Sequence, residues 1–439
     1  MKRVHFIGIG GIGLSALAKF LSSRDYSISG SDIRQSEITD DLALNYGAKI
    51  TIPHHPDAVE GADMVIYSAV VRANNPEYRR AKELGIELLS RKESLKFILA
   101  QSRVYAVGGA HGKSTTSAML ASLLPKSGAL IGAISKEFGS NVREGEDASV
   151  VFEADESDES FLNSNPYLAV VTNVEPEHME YYGYDLERFY GAYEKFIALA
   201  EISVLNGDDS FLRKLDAKNA IYLYPSKDIK NIEFILRDTE PYTSFELEGY
   251  GRFEVFGFGE HIALDAALAV RAAMELGESR ESVAKNLSAY RGIKKRFDIV
   301  HDEKDFVVID DYGHHPTEIK ATLEAIELFA RKRGLKSIRA IWQPHKYSRT
   351  MDNLKGFVEC FEGVDELVIL PIWSAGEIEI PIDLKGAFSR HSPIMADRVS
   401  KIDGTVKVFR DTHVVREFSD GLTVAFGAGD ISYQIRGEK

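Results

Sequence analysis

The sequence has one cysteine, Cys360, in 439 residues. That excludes an internal disulfide and fits a reducing compartment, so a cytoplasmic location is expected. Long apolar runs are missing too. No stretch approaches the roughly twenty apolar residues a membrane-spanning helix requires, and membrane insertion is not expected. The start, "MKRVHFIGIGGIGLSALAKF", imitates a secretory signal, but its four glycines and His5 break the apolar run. Positive charge is in deficit: 53 Lys and Arg face 67 Asp and Glu, for a net charge of −14. Such a chain does not attract nucleic acid or anionic lipid broadly, so an anionic ligand must be met by basic residues gathered locally. Low-complexity linkers are absent as well, and the length suits two to four ordinary domains.

What is present is glycine set between strands and helices. The apolar run Val104-Tyr105-Ala106-Val107 leads into Gly108, Gly109 and Gly112, and then into a segment pairing Met119 with Leu123 and Leu120 with Leu124. A strand feeding a helix through such a turn aims backbone N–H groups at the positive end of the helix dipole, where a polyphosphate can lie. Lys113 adds a cation and Ser114 a hydroxyl suited to Mg2+. The loop is one residue short of the usual P-loop, because Val107 stands where the first glycine belongs. A second turn, Gly8-x-Gly10-x-x-Gly13, also follows an apolar strand and opens a helix. Asp32 comes about 20 residues later at the end of the next strand. That pattern reads a pyrophosphate and a ribose hydroxyl, and it suits NAD and other nucleotide diphosphates alike.

Three later strands, in "SVVFEADESDESF", "LAVVTNVEPEHMEYY" and "EISVLNGDDS", end in acidic or polar residues. Ligands of open α/β sheets sit beyond the carboxyl ends of strands, so Glu153, Asp155, Glu156, Asp158, Asn173, Glu177 and His178 are expected to share a crevice with the glycine loop. Carboxylates beside a triphosphate suggest Mg2+. After "RGIKKRFDIV" the pattern restarts: "FVVIDDYGHHPTEIKATLEAIELFA" gives a strand, an acidic pair and a helix. In that helix Pro316 suits the first position, and Ile319, Leu323 and Ile326 form the buried stripe. The strands in "IRAIWQPHKYSRT", "ELVILPIWSAGE" and "LTVAFGAGDIS" likewise run into polar or glycine-rich ends. Boundaries near 97–102 and 288–293 give three α/β domains, with residues 221–258 an irregular, β-rich part of the central one.

Taken in order, GIGGIG, SGSD, GAHGKSTT, EADESDESF, TNVEPEHMEYY, KKRFD, DDYGHHPTEI, QPHKYSRT and GAGDI resemble the Mur ligases of bacterial peptidoglycan synthesis, from Gly8 to Asp430. The resemblance implies a three-domain α/β architecture: a Rossmann-like UDP-sugar domain over 1–98, a P-loop ATPase-like domain over 99–290, and a Rossmann-like domain over 291–439 that closes over ATP and takes the amino acid. It implies ATP and Mg2+, with UDP-N-acetylmuramate and L-alanine as the substrates joined through an acyl phosphate, in a monomer or weak dimer. The first glycine turn would then hold UDP, through Gly10, Gly11, Ile12, Asp32 and Ser68. Gly108, Gly109, Ala110, His111, Gly112, Lys113, Ser114 and Thr115 would surround the ATP phosphates, with Ser114 and Glu156 on one Mg2+ and His178 on a second. His261, Arg296 and Asp311 would meet the nucleotide. Tyr312, His314, His345, Lys346 and Arg349 would position the sugar-lactyl group and the alanine. Lys113, Glu156, His178, Arg296 and His314 would carry the catalysis.

The chain departs from the family pattern in places. Ala110 and Ser114 replace threonines of the loop, Glu177 replaces an aspartate, and Lys346 an arginine. In "GEHIALDAA", Ile262 and Asp265 stand where two asparagines contact adenine. Asp265 keeps the register of the residue it replaces, four beyond His261, and is expected to face the base.

Overall fold

The computed structural model describes residues 2–437. The first strands are β1 (Arg3–Ile7), β2 (Ser27–Ser31), β3 (Lys49–Thr51), β4 (Met64–Tyr67) and β5 (Glu87–Ser90), which form a parallel sheet in the order β3-β2-β1-β4-β5. The order reverses at β1, so the glycine turn that follows β1 stands at the switch point where open α/β sheets bind ligands. Val4, Phe6 and Ile7 of β1 are buried, as a strand covered on both faces requires.

Next come β6 (Arg103–Gly108), β7 (Gly128–Leu130), β8 (Val142–Arg143), β9 (Ser149–Glu153), β10 (Leu168–Val171), β11 (Ile202–Asn206) and β12 (Ala220–Leu223), ordered β12-β11-β10-β6-β9-β7-β8. All pair in parallel except β8, which runs antiparallel to β7. The glycine loop after β6 is therefore flanked by the ends of β9 and β10, where the acidic residues lie. The two sheets share one compact unit, built from the chain up to Ile229 with Leu247–Tyr250 and Leu264–Tyr290. One apolar core runs through it, from Phe6 and Leu17 to Phe152 and Phe196. Polar ties join the same regions: Lys92 Nζ donates to the Asp158 carbonyl at 2.8 Å and Asn163 Nδ2 to the Lys92 carbonyl at 3.0 Å.

The second unit holds Lys230–Glu246, Gly251–Ala263 and the chain from Arg291 on. The stretch expected to be irregular divides. Its first part supplies the edge strand β12, and the rest forms a sheet of β13 (Ile229–Arg237), β14 (Glu240–Leu247) and β15 (Gly251–Phe256). Phe258, just beyond β15, packs on Phe329 with ring centroids 5.8 Å apart, which ties this segment into the second unit's core. The main sheet takes β16 (Asp298–Asp302), β17 (Phe306–Asp311), β18 (Ile338–Trp342), β19 (Glu366–Ile369) and β20 (Ile394–Met395). The chain then leaves for an antiparallel meander of β21 (Arg398–Ile402), β22 (Thr405–Arg410) and β23 (His413–Phe418), and returns as β24 (Gly421–Phe426). The order is β16-β17-β24-β18-β19-β20, with only β16 antiparallel to its neighbour.

Pro316 opens the helix Pro316–Arg333, and Ile319, Leu323, Ile326 and Phe329 are buried along it, continuing the expected stripe. Cutting Ile326 to alanine would cost about 2–5 kcal/mol, since it lies fully inside the core. Cys360 ends the helix Leu354–Cys360, buried, with its thiol donating to the Phe357 carbonyl at 3.2 Å. Burial pushes that thiol up to about 12. No helix among the described residues is long and apolar enough to cross a membrane.

Candidate active site

The first turn is closed by its own aspartate. The N–H groups of Gly8 and Ile9 donate to the Ser31 carbonyl at 2.8 and 3.0 Å, which ties the turn to the end of β2. The next residue, Asp32, accepts the Gly10 N–H through Oδ2 at 2.8 Å and its neighbour Ile33 N–H through Oδ1 at 2.7 Å. At Gly10 a Cβ would lie 2.9 Å from Asp32 Oδ2 and would push that carboxylate off the Gly10 N–H. Ser68, past the end of β4, covers Gly8, whose Cβ would meet that of Ser68 at 3.1 Å. Gly11 opens the helix Ile12–Ser22 without a side-chain cap, and Ile12 is half exposed. The structure thus brings Gly10, Gly11, Ile12, Asp32 and Ser68 to one end of the sheet.

The second turn is closed by its lysine. Lys113 folds back, its Nζ donating to the carbonyls of Gly109 at 2.6 Å and Ala110 at 3.2 Å and reaching Glu156 Oε2 at 2.9 Å. Burial opposes the ammonium charge, but Glu156, Asp155 and Glu153 outweigh it and keep Lys113 protonated. Glu156 is almost fully buried; burial pushes its carboxyl up to about 7, with Lys113 pulling it back and Asp155 adding to the rise. Ser114 donates to Glu153 Oε1 at 2.9 Å rather than to Glu156, and Glu153 also accepts the Gly132 N–H at 2.5 Å. On the other side Asn173 braces the loop: its Oδ1 accepts the His111 N–H at 2.9 Å, while its Nδ2 donates to the His111 carbonyl at 3.0 Å. Gly109 (φ +138°) and Gly112 (φ +80°) hold conformations that side chains rarely adopt. Thr115 lies in the first turn of the helix Lys113–Leu123.

Glu156, Glu177 and His178 each present one ligand atom, all within 4.8 Å of one another. The two carboxylate oxygens are ligands of the kind a hard divalent cation such as Mg2+ takes, and the imidazole adds a softer nitrogen donor. His178 gains its place through a left-handed backbone, φ 53° and ψ 32°, at the start of the short helix Met179–Tyr182. Asp265 is buried, and its Oδ1 would lie 2.5 Å from a Cβ on Gly112, so its carboxylate abuts the phosphate loop.

In the second unit, Arg296, Asp311, Tyr312, His314, His345 and Arg349 gather at the ends of β17 and β18. Both Asp311 oxygens are already used: Oδ2 accepts the Phe297 N–H and Oδ1 the Gly313 N–H, each at 2.8 Å. Burial pushes this carboxyl up to about 6 against the pull of Arg296. Arg296 pairs with Glu318 Oε1 at 3.1 Å, and Glu318 Oε2 accepts the His314 N–H at 3.0 Å. His314 Nδ1 lies 3.1 Å from the Tyr312 carbonyl, so it carries the proton, which leaves Nε2 as the acceptor. Arg349 Nη1 donates to His345 Nδ1 at 3.1 Å. Burial, with arginines close by, lowers His314 and His345 to about 4, so both rings are neutral at physiological pH. His261 is neutral for the same reasons, lowered to about 4 by burial and Arg296.

Known families match the chain in three consecutive stretches: "Mur ligase family, catalytic domain" over residues 3–103, "Mur ligase middle domain" over 107–273, and "Mur ligase, glutamate ligase domain" over 295–415. The chain belongs to the Mur ligase family. A UDP-N-acetylmuramate–L-alanine ligase of Campylobacter curvus is 53% identical over 437 residues, covering 100% of both chains. One from Helicobacter pylori is 51% identical, over 99% of this chain and 96% of that protein. Among solved structures, the UDP-N-acetylmuramate–alanine ligase of Thermotoga maritima superposes with a TM-score of 0.82 at 28% identity, over 99% of this chain and 97% of that one. A murein peptide ligase of Psychrobacter arcticus shares the fold, with a TM-score of 0.65 at 20% identity over 98% of this chain and 97% of that one.

For this Mur ligase, the residues expected around the phosphates lie together in the first unit, and of those expected on the cation Glu156 and His178 meet, joined by Glu177, while Ser114 turns to Glu153. The expected partners of the amino acid meet within the second. Two residues expected in the crevice, Glu153 and Asn173, and two not expected there, Glu318 and Glu377, hold the site together. Glu153 holds Ser114, Asn173 braces the loop, Glu318 links Arg296 to His314, and Glu377 binds Ser348 beside Arg349. Glu153 and Asn173 end or follow strands, the signal that placed them in the crevice. Glu318 and Glu377 gain their roles only through tertiary contacts.

Proposed function

We propose that this chain joins L-alanine to the lactyl carboxylate of UDP-N-acetylmuramate, with ATP converted to ADP and phosphate, in the cytoplasm. The observation that carries the reading is the Lys113–Glu156–Glu177–His178 cluster at the strand ends beside a glycine loop, in a chain about half identical along its whole length to ligases of that name. Transfer of the γ-phosphoryl group to the lactyl carboxylate breaks the bond to ADP and forms an acyl phosphate. The alanine nitrogen then attacks the acyl carbon, phosphate leaves, and the nitrogen sheds a proton as the amide forms.

Both steps bring anions together, and fixed positive charge is worth most where water is excluded. Lys113, held charged and already seated in the loop, exchanges its Glu156 contact for phosphate oxygens. Ser114 and the N–H groups of the loop orient the same phosphates. Mg2+ held by Glu156, Glu177 and His178 would offset the remaining charge on the phosphate and the acceptor carboxylate. In the second unit Arg349 takes the alanine carboxylate, and neutral His314 offers Nε2 to the proton leaving the attacking nitrogen. The Gly8 turn, with Gly10, Gly11, Ile12, Asp32 and Ser68, holds the UDP moiety.

A related reaction joins a whole peptide to the same sugar nucleotide. Ser157 in EADESD and Tyr312-Gly313 in DDYGHHP favour the single amino acid. ADP release, measured with UDP-N-acetylmuramate plus L-alanine, plus a murein tripeptide, or plus neither, separates the two. Turnover with the tripeptide and none with L-alanine would overturn the proposal.

A further inference from the structure

Beyond β19 the chain runs through Trp373-Ser374-Ala375-Gly376-Glu377 and lies against Pro344–Arg349. The Trp373 N–H donates to the Pro344 carbonyl at 2.8 Å, the Lys346 N–H donates to the Trp373 carbonyl at 2.8 Å, and His345 and Trp373 form a parallel bridge. Glu377 completes this strap. Its Oε2 accepts the Ser348 N–H at 3.1 Å and its Oε1 accepts the Ser348 hydroxyl at 2.6 Å. Although partial burial acts the other way, those bonds hold the Glu377 carboxyl below its ordinary range.

The strapped segment is strained on both sides. Lys346 sits at φ 68° and ψ 135°, and Ala375 at φ 49°, conformations that survive only where the surroundings over-determine them. Lys346 is fixed from ahead as well: its carbonyl accepts the Thr350 N–H at 3.2 Å and the Thr350 hydroxyl at 2.7 Å. One side chain past Ser348 stands Arg349, its guanidinium turned to neutral His345. The Ser348 N–H at the start of the helix Tyr347–Asp352 is taken by Glu377, so this segment meets an anion with its side-chain cations, of which Arg349 is the one bonded to His345.

We propose that Glu377 is a positioning residue for the amino-acid substrate: through Ser348 it fixes the Lys346–Arg349 turn and so sets the direction from which Arg349 meets the α-carboxylate. This rests on the reading that Arg349 receives that carboxylate. Small displacements of an orienting group cost far more than its own contacts would suggest. Loss of Glu377 should therefore fall on one substrate of the three.

The test is the KM of the full-length enzyme for each substrate, the other two being saturating. Glu377→Ala should raise KM for L-alanine about tenfold, as loss of hydrogen bonds to a charged group does, and leave those for ATP and UDP-N-acetylmuramate within about twofold. Glu377→Gln keeps one acceptor oxygen and should recover most of the loss. Ser348→Ala should raise KM for L-alanine about threefold, and adding it to Glu377→Ala should change nothing more, because the hydroxyl acts only through the glutamate. Arg349→Ala separates the proposal from its premise. If it leaves KM for L-alanine unchanged, the premise fails. If it raises that KM while Glu377→Ala leaves it alone, or raises all three KM values alike, the proposal is overturned and the premise stands. Should Glu377→Ala not fold, Glu377→Gln and Ser348→Ala decide by the same split.

Discussion

The Gly8 turn and the Gly108 loop are the same device twice: a buried parallel strand, a glycine turn, and a helix whose first N–H groups lack a side-chain cap. They differ in what fills the turn. At Gly10 it is a carboxylate, Asp32, on a backbone N–H. At Gly109 it is an ammonium, Lys113, on backbone carbonyls, with buried carboxylates behind it. Glycine supplies a shape that any phosphate can enter, and the charge set beside it decides the purpose. On the proposed function, one turn holds a diphosphate without activating it and the other holds a phosphoryl group while it moves.

The most severe way to break this comparison is to remove the mobile charge. Lys113→Ala should lower turnover by about 10²–10³ while binding of UDP-N-acetylmuramate, followed by calorimetry, stays intact. Loss of sugar-nucleotide binding in that variant would show that the two turns do not act separately. The mirror experiment is milder. Asp32→Ala should raise KM for UDP-N-acetylmuramate about tenfold and leave KM for ATP near its parent value.

A smaller effect is expected at Asp265, which abuts Gly112. Asp265→Ala should raise KM for ATP about threefold, by loosening the loop, without altering the ratio of specificity constants for ATP and GTP. A changed ratio would mean that Asp265 reads the base after all.

The smallest effect extends the comparison to the end of β17, where Asp311 bonds only to backbone. Its carboxyl is raised to about 6 when folded, from an ordinary value near 3.8. Between those values the folded state binds more protons than the unfolded chain, so stability from this group is present at acid pH and is lost as pH rises through 6. Thermal melts of the parent relative to Asp311→Asn should show that decline; parallel curves from pH 4 to 7 would refute it.

Much of this was legible in the sequence. Both glycine turns, the strand ends carrying Glu153, Asn173 and Asp311, and the stripe on the helix after Pro316 follow from periodicity and from glycine, and they lie where expected. Periodicity locates a side chain along its element, but it does not say what stands across from it. Glu318 reads as an ordinary first-turn acid, and its bridge between Arg296 and His314 exists only once β17 and the preceding loop are folded. Asp265 shows the same limit: its register on the helix was read, and its burial against Gly112 was not. The β21–β23 meander also escaped notice; its third strand, β23, is exposed along most of its length and carries no alternation of apolar and polar residues.

The lone cysteine has a practical consequence. Cys360 is inside the core of the second unit with its thiol held protonated, so at neutral pH it offers alkylating reagents neither access nor a thiolate. The parent chain should therefore react little with maleimides while it is folded. A cysteine introduced at an exposed position such as Leu44 or Ile378 would be labelled alone, giving a single-site spectroscopic reporter with no native residue to remove first.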